Sequence, residues 1–182
     1  TFKPGAYNPD ARCQLLIFGR FDPVKGHSRF LEVFRELLDI WKGDHSPVLR
    51  IIGNPENISE RDLWAKAREL KLSEHNLQIT PHRVGNLPTV YSSATLGVIP
   101  STGSEWITRV ANEFLLCGTP IWTTNVGSLG EVIDRDQDGY IYDFEASSKS
   151  NAQQLAKILG QFSNEPPEHK VKRATHALGR LG

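Results

Sequence analysis

Two stretches of this chain hold side chains that could grip an anionic, hydroxyl-rich ligand. The first is Gly19-Arg-Phe-Asp-Pro-Val-Lys-Gly26, with Arg20 and Lys25 five residues apart in a loop opening a helix. It carries neither the Walker pattern nor the G-x-G-x-x-G fingerprint. A cation beside a helix N-terminus nevertheless suits a diphosphate, because the unpaired amides and the positive end of the dipole face the ligand. Two exposed cations in an ordinary loop would read the same way. The second is Ser101-Thr-Gly-Ser-Glu105, running into a helix that contains Arg109 and Glu113. Glu105, Arg109 and Glu113 step by four, so they share one helix side. The Glu-to-Glu interval is ~12 Å of helical rise if Glu105 lies on or near the helix. That is too long for a glycosidase acid/base pair, whose carboxyls lie about 5–9.5 Å apart. It matches the two ends of an elongated ligand such as the sugar and ribose of a nucleotide sugar, since a carboxylate accepts from two neighbouring hydroxyls. The helical amides between them would face the phosphates. The plainer alternative is a solvated Glu-Arg-Glu ladder, worth a few tenths of a kcal/mol per pair.

Two further loops are weaker candidates. Thr80-Pro-His-Arg-Val-Gly85 could read a base edge through its backbone, or be an ordinary polar loop around His82 and Arg83. Thr123-Thr-Asn-Val-Gly-Ser-Leu-Gly130, followed by Glu131, is rich in turn residues, and turn duty alone explains its glycines. The six histidines show no ligand spacing, so no metal site is expected. No G-x-S-x-G nucleophile elbow occurs.

The elements that must position these residues alternate between strand and helix. Gln14–Gly19, Val48–Gly53, Leu77–Thr80, Thr95–Pro100, Pro120–Thr124 and, more weakly, Tyr140–Asp143 read as short strands. Between them the apolar spacing predicts helices. One carries Phe30, Phe34, Leu37, Leu38 and Trp41; others run from a Ser59 cap to about Leu72, over Leu87–Ser93, over Trp106–Cys117 and over Asn151–Leu159. Asn164-Glu-Pro-Pro167 is a break, and His169–Leu181 reads as a last basic helix. Strands alternating with helices imply βαβ units and a parallel sheet buried on both faces. The expected class is therefore α/β, a Rossmann-like doubly wound parallel sheet. Ligands of such sheets sit beyond the carboxyl ends of the strands, which selects the loops after Phe18, Ile52, Thr80 and Pro100.

Composition narrows the classes. At 182 residues one domain is the default, and about 70% of the unfolded surface can be buried. Lys plus Arg and Asp plus Glu both number 21, so the chain lacks the basic excess of a general nucleic-acid or membrane-surface binder. No apolar run is long enough to span a bilayer, and no signal-peptide pattern opens the chain. Cys13 and Cys117 stand far apart without a CxxC, as expected of reduced residues in a cytosolic protein. Methionine is absent and the chain opens Thr-Phe-Lys-Pro. Initiator removal or excision from a longer protein would both account for that.

Taken in order, these segments resemble one family. Phe2-Lys-Pro4, Leu-Ile-Phe-Gly-Arg-Phe-Asp-Pro-Val-Lys-Gly26, Ile51-Ile-Gly53 and Val98-Ile-Pro-Ser101 are similar to motifs of the family 4 glycosyltransferases of the GT-B fold. So are Glu105 with Glu113, Leu-Cys-Gly-Thr-Pro120, Asn125-Val-Gly127, Glu131 and Asp138-Gly139. The resemblance covers nearly the whole chain and is to the C-terminal, donor-binding half alone. It implies a linker over 1–12, a donor-binding Rossmann-like domain over 13–163 and a helical tail over 164–182. It implies a retaining glycosyltransferase using a nucleotide-diphosphate sugar, with no metal and no other cofactor. The acceptor would be held by a missing N-terminal domain of the full-length protein, so this half would be inactive alone. Neither nucleic acid nor a transmembrane segment belongs to that picture. The location would be cytoplasmic, with any contact to the inner face of the membrane made through the missing domain. Products would be carbohydrates or polysaccharides.

The resemblance also implies roles. Arg20 and Lys25 would neutralise the donor diphosphate, Glu105 would hold the sugar hydroxyls, and Glu113 would hold the ribose. Amides near Thr108 to Val110 would touch the phosphates, and Arg83 and Val84 would lie beside the base. Gly19, Ser104, Trp106, Ile107 and Arg109 complete the implied donor-binding set. Three positions depart from the family's habit: Trp106 replaces a small residue and should crowd the sugar pocket or alter the loop, Pro81 stands before the base loop where a glycine is common, and Ser128 follows Gly127 where a second glycine often stands. Two other classes stay open at this point. One is a GT-B enzyme that is not a transferase, such as a sugar-nucleotide epimerase. The other is a non-catalytic nucleotide-sugar-binding domain.

Overall fold

A computed structural model describes residues 13–103, 109–135 and 137–181. Six strands form one sheet: β1 (Gln14–Phe18), β2 (Val48–Ile52), β3 (Leu77–Thr80), β4 (Leu96–Ile99), β5 (Ile121–Thr123) and β6 (Gly139–Ile141). Their spatial order is β3-β2-β1-β4-β5-β6, and every pairing is parallel. The order reverses between β1 and β4, where Leu15 pairs with Leu96. The doubly wound α/β expectation is met, and crevices in such sheets open at that reversal.

Helices cover both faces, and strand alternation decides which side chains meet them. Leu15 and Ile17 of β1 face one layer with Leu49, Ile51, Leu77 and Trp122. The helices over that layer are α1 (His27–Ile40), α2 (Glu60–Glu69) and α6 (Ser148–Ser163), through Phe30, Phe34, Leu37, Leu63 and Leu155. Leu16 points the other way, with Ile52, Ile99 and Ile121. There it meets α3 (Leu87–Ser93), α4 (Arg109–Leu116), α5 (Leu129–Val132) and α7 (Pro167–Leu181), through Tyr91, Phe114, Leu129 and Ala177. Each large apolar side chain taken out of water contributes about 1.5–3 kcal/mol before entropy is counted. Cys13 and Cys117 are both buried, and they form no disulfide with each other. Among the described residues, no helix is long and apolar enough to cross a membrane.

The boundaries differ from expectation at ends that local chemistry sets. α1 stops at Ile40, because Trp41 is extended and its indole N–H donates to the His45 carbonyl at 2.8 Å. α2 starts as expected, with Ser59 and Asp62 forming a capping box, but stops at Glu69 because Lys71 turns left-handed at φ 56°. α6 begins earlier, behind a Ser147 cap, and runs four residues further, to Ser163. The last helix begins at Pro167, where proline suits a first turn. A 3-10 turn over Pro23–Lys25 and the four-residue α5 were not anticipated. The expected start of α4, at Trp106, lies outside the described residues.

α7 is tied down by its basic side chains. Arg173, buried, donates from Nε to the Gln137 carbonyl at 2.9 Å and from Nη1 to the Gly118 carbonyl at 2.6 Å, and pairs with Glu165. Lys170 Nζ donates to the carbonyls of Ser92 at 2.9 Å and Ala94 at 2.8 Å, closing the end of α3. Arg180 pairs with buried Asp138. Lys170 and Arg173 therefore satisfy carbonyls of the segments beneath the helix.

Candidate functional site

A cleft of about 780 Å³ opens at the carboxyl ends of β1 to β4. Its first wall is the loop after β1, stitched to the loop after β2. Gly19 N donates to the Ile52 carbonyl and Phe21 N to the Asn54 carbonyl, both at 2.9 Å. The Phe21 carbonyl in turn accepts from Asn57 at 3.2 Å and Ile58 at 3.0 Å. The two backbones approach so closely that a Cβ on Gly53 would lie 1.8 Å from the Gly19 carbonyl oxygen. Asp22 fixes the turn that follows, since Oδ1 accepts from Val24 N at 2.9 Å and Oδ2 from Asn57 Nδ2 at 2.6 Å. Those bonds, the Asn57 one foremost, hold its carboxyl below the ordinary aspartate range. Lys25 ends the 3-10 turn, and Gly26, left-handed at φ 72°, starts α1.

The structure brings Gly19, Arg20, Lys25, Arg83, Val84, Arg109 and Val110 together around this one cleft. Arg20 is engaged there: Nη1 lies 2.6 Å from Glu56 Oε1 and 2.5 Å from Oε2, at the solvent edge. Glu113 is not among the lining residues. It is 7% exposed on the inner side of α4. The Tyr91 hydroxyl donates to its Oε2 at 2.6 Å, and Arg109 Nε stands 3.4 Å from its Oε1. Burial first, and then the Glu113 bond, raise the Tyr91 pKa, so the phenol stays an O–H donor. The i,i+4 Arg-Glu step is therefore real, but its carboxylate is buried rather than solvated. Ser104, Glu105, Trp106, Ile107 and Thr108 lie outside the described residues, as do residues 1–12.

Among the described lining residues, four cations (Arg20, Lys25, Arg83 and Arg109) face a single carboxylate, Glu56. Such a cleft attracts an anion. Among those residues no group of three His, Cys, Asp or Glu converges as a metal site requires. Of the described residues between Thr123 and Glu131, Leu129 at the start of α5 is the one that lines the cleft. Thr123 and Thr124 instead donate to the carbonyls of Ile99 at 3.0 Å and Ser101 at 2.6 Å, bracing the end of β4.

Sequence reasoning missed Glu56, Tyr91 and His27. Glu56 was within reach, since the loop after Ile52 was one of the four selected by topology. Tyr91 sits 22 residues from Glu113, with no local signal joining them. His27 looked like any helical histidine, yet it is fully buried and borders the cleft. Burial pushes its pKa from 6.5 down to about 4; the Asp22 main chain opposes that shift and the Lys25 charge adds to it. Between those values the unfolded chain binds the proton and the folded one refuses it, so stability rises with pH across that window. Acidification from pH 6.5 to 4 should thus remove stability from the wild type that His27→Phe retains. Chemical denaturation across pH should show the gap between the two widening below 6.5 and flat above 7; a constant gap would contradict the assignment.

With this geometry in place, likenesses to known proteins take on meaning. Residues 5–176 match the family described as glycosyl transferases group 1. Spore coat protein SA of Bacillus subtilis is 26% identical over 165 residues, which is 87% of this chain and 42% of that protein. D-inositol 3-phosphate glycosyltransferase of Rhodococcus jostii is 30% identical over 130 residues, 69% of this chain and 28% of that protein. The chain thus spans less than half the length of these curated relatives. Among solved structures, the C-terminal domain of a glycosyl transferase group 1 family protein from Francisella tularensis superposes with a TM-score of 0.71 at 18% identity. That match covers 99% of this chain and 93% of the solved one.

Proposed function

The chain belongs to the glycosyl transferases group 1 family, and from that premise we propose that it binds a nucleotide-diphosphate sugar as the donor half of a retaining glycosyltransferase. The observation that carries the reading is the cleft with four cations and one carboxylate at the carboxyl ends of the strands. The near-complete match to a C-terminal domain solved by itself supports the assignment to one half. An N-terminal half of the full-length protein would hold the acceptor, whose hydroxyl receives the sugar.

In this reading the diphosphate takes the place of Glu56 on Arg20. An exposed pair of this kind is worth about 0–1 kcal/mol, so the exchange is easy. Arg20 and Lys25 then face the charge that grows on the leaving diphosphate as the anomeric C–O bond breaks. Both are present before reaction, held by the loops stitched through Phe21 and Asp22. Arg83 and Val84 flank the base, the amides at Arg109 and Val110 face the phosphates, and Glu113 takes the ribose. Glu105 takes the sugar hydroxyls. Retention and independence from a metal rest on the family resemblance, and the two cations give the latter a physical basis. A cytoplasmic location belongs to the same proposal, consistent with two buried cysteines that form no disulfide with each other.

Isothermal titration of this chain with uridine, guanosine and adenosine diphosphates tests the reading. At least one should bind, with the same affinity in EDTA as in magnesium. The chain alone should transfer no sugar from the matching nucleotide sugar. Binding of none of them would defeat the site, EDTA-sensitive binding would defeat metal independence, and turnover by this chain would defeat the assignment to one half.

A further inference from the structure

Glu113 lies one turn beyond Arg109 on α4. A buried carboxylate is tolerated only where donors meet its oxygens. Here the two oxygens are met from different elements. Oε2 accepts from the Tyr91 hydroxyl of α3 at 2.6 Å, and Oε1 stands 3.4 Å from Nε of Arg109, which lines the cleft. The tyrosine is itself fixed. Its ring is fully buried, edge-on to Phe18 at the end of β1, with centroids 5.1 Å apart, and to Phe114, with centroids 4.6 Å apart. The main chain around it is held as well. Thr119 Oγ1 donates to the Tyr91 carbonyl at 2.8 Å, and Lys170 Nζ to the carbonyls of Ser92 and Ala94. Phenylalanine would keep the ring contacts, so packing alone does not call for the hydroxyl. What calls for it is the carboxylate, whose last side-chain torsion is soft until one oxygen is pinned.

We propose that Tyr91 is a positioning residue: its hydroxyl holds Glu113 Oε2 so that Oε1 is presented on the Arg109 side, ready for the ribose hydroxyls of the bound nucleotide. The inference rests on the nucleotide-sugar reading, with Glu113 as the ribose ligand, and adds to it a residue that touches no ligand. Phe18, packed against the same ring, lines the cleft, so Tyr91 ties the carboxylate to the end of β1. A carboxylate held before the ligand arrives avoids the ordering that a mobile one would undergo on binding. The ribose then replaces Arg109, the exposed partner, and leaves the buried one in place. Base and diphosphate lie on other residues, so the effect of the hydroxyl is confined to the ribose.

The test titrates this chain with uridine, guanosine and adenosine diphosphates, their dideoxyribose counterparts and inorganic pyrophosphate, well below the thermal midpoint of each variant. With the base that binds best, wild type should prefer the ribose form by about tenfold or more, the equivalent of a hydrogen bond to a charged group. Tyr91→Phe should cut that preference to about threefold or less by weakening the ribose form, with the dideoxy form and pyrophosphate unchanged. Glu113→Gln should show the same reduced preference, and adding Tyr91→Phe to it should reduce it no further, because the two act as one unit. A tyrosine with a structural role alone would weaken every ligand alike or none, and either result would overturn the proposal. If Tyr91→Phe does not fold, the ring ¹³Cζ resonance of wild-type Tyr91 decides the matter. It should move with the ribose form and stay with the dideoxy form; movement with neither, or equally with both, would refute the role. A wild type that binds no diphosphate fails together with the nucleotide-sugar reading. One that binds ribose and dideoxy forms equally keeps that reading and loses the roles of Glu113 and Tyr91.

Discussion

Gly26→Ala should destabilise the chain by about 2–5 kcal/mol, combining the penalty of a left-handed non-glycine residue with that of overpacking. Gly26 stands at φ 72°, and a Cβ there would lie 1.9 Å from the Pro100 carbonyl oxygen, which is backbone and cannot rotate away. In a chain of this size the loss corresponds to a drop in thermal midpoint on the order of 10 °C. The site should suffer with the fold. Gly26 joins the turn carrying Lys25 to the helix beginning at His27, so relieving the clash pushes both away from the end of β4. Calorimetry and nucleoside diphosphate titration on the same sample should show both losses. A midpoint within 2 °C of wild type, a margin set by the handful of degrees per kcal/mol expected at this size, would mean the close approach is not a constraint.

Glu113→Gln should weaken nucleoside diphosphate and nucleotide sugar alike, by about 10- to 100-fold, the equivalent of one charge-assisted hydrogen bond of roughly 1.5–3 kcal/mol. Glu105→Gln should leave the nucleoside diphosphate nearly untouched and weaken the sugar-bearing ligand alone. The structure sharpens this contrast. Glu113 is buried and already accepts from Tyr91, so one oxygen is committed to the fold. The other faces Arg109, whose side chain is 77% exposed and 3.4 Å away, a loose pair that a ribose hydroxyl can replace. Glutamine at 113 will therefore cost stability as well, and affinities must be compared well below the midpoint of the variant. Titration of both variants with both ligands separates the possibilities. Equal small effects in all four combinations would defeat the site, and a reversed pattern would mean the ligand lies the other way round.

How much was legible depended on how local the signal was. β3 and α3 were read to their end residues, because Asn76, Pro81, Asn86 and Ala94 punctuate short periodic runs. Periodicity overshot at Trp41, since an aromatic at helical spacing packs equally well from the first residue beyond the helix. It undershot at α6, where Gly160 and Gln161 dilute the apolar stripe of a helix that continues to Ser163. Elements of three or four residues, such as the turn over Pro23–Lys25 and α5, are shorter than any period that could announce them. For the site, topology and residue type were enough to place Arg20, Lys25, Arg83 and Arg109 around one crevice. What stayed hidden was contact across the fold: Glu56 on Arg20, Tyr91 on Glu113, and the complete burial of His27 against Phe21. Those depend on which loops touch, which no window of neighbouring residues encodes.

The central place of β1 has a consequence for how the chain is made. β1 pairs with β2 along five residues and with β4 on its other edge, yet Leu96 follows Phe18 by 78 positions (96 − 18). At ribosomal speeds of roughly 5–20 residues per second, about 4–16 s pass between the two leaving the active centre. During that interval β1, β2 and β3 can assemble with α1 and α2, but the far edge of β1 stays open in the middle of the future sheet. An uncovered apolar edge is a template for pairing with another nascent strand. The same interval delays the cleft, whose β1 wall waits for the helix that carries Arg109. An edge open early in synthesis and a cleft completed late are thus two faces of one topological fact, and if the proposed nucleotide binding holds, nucleotide added during translation should stabilise this chain only after α4 has emerged.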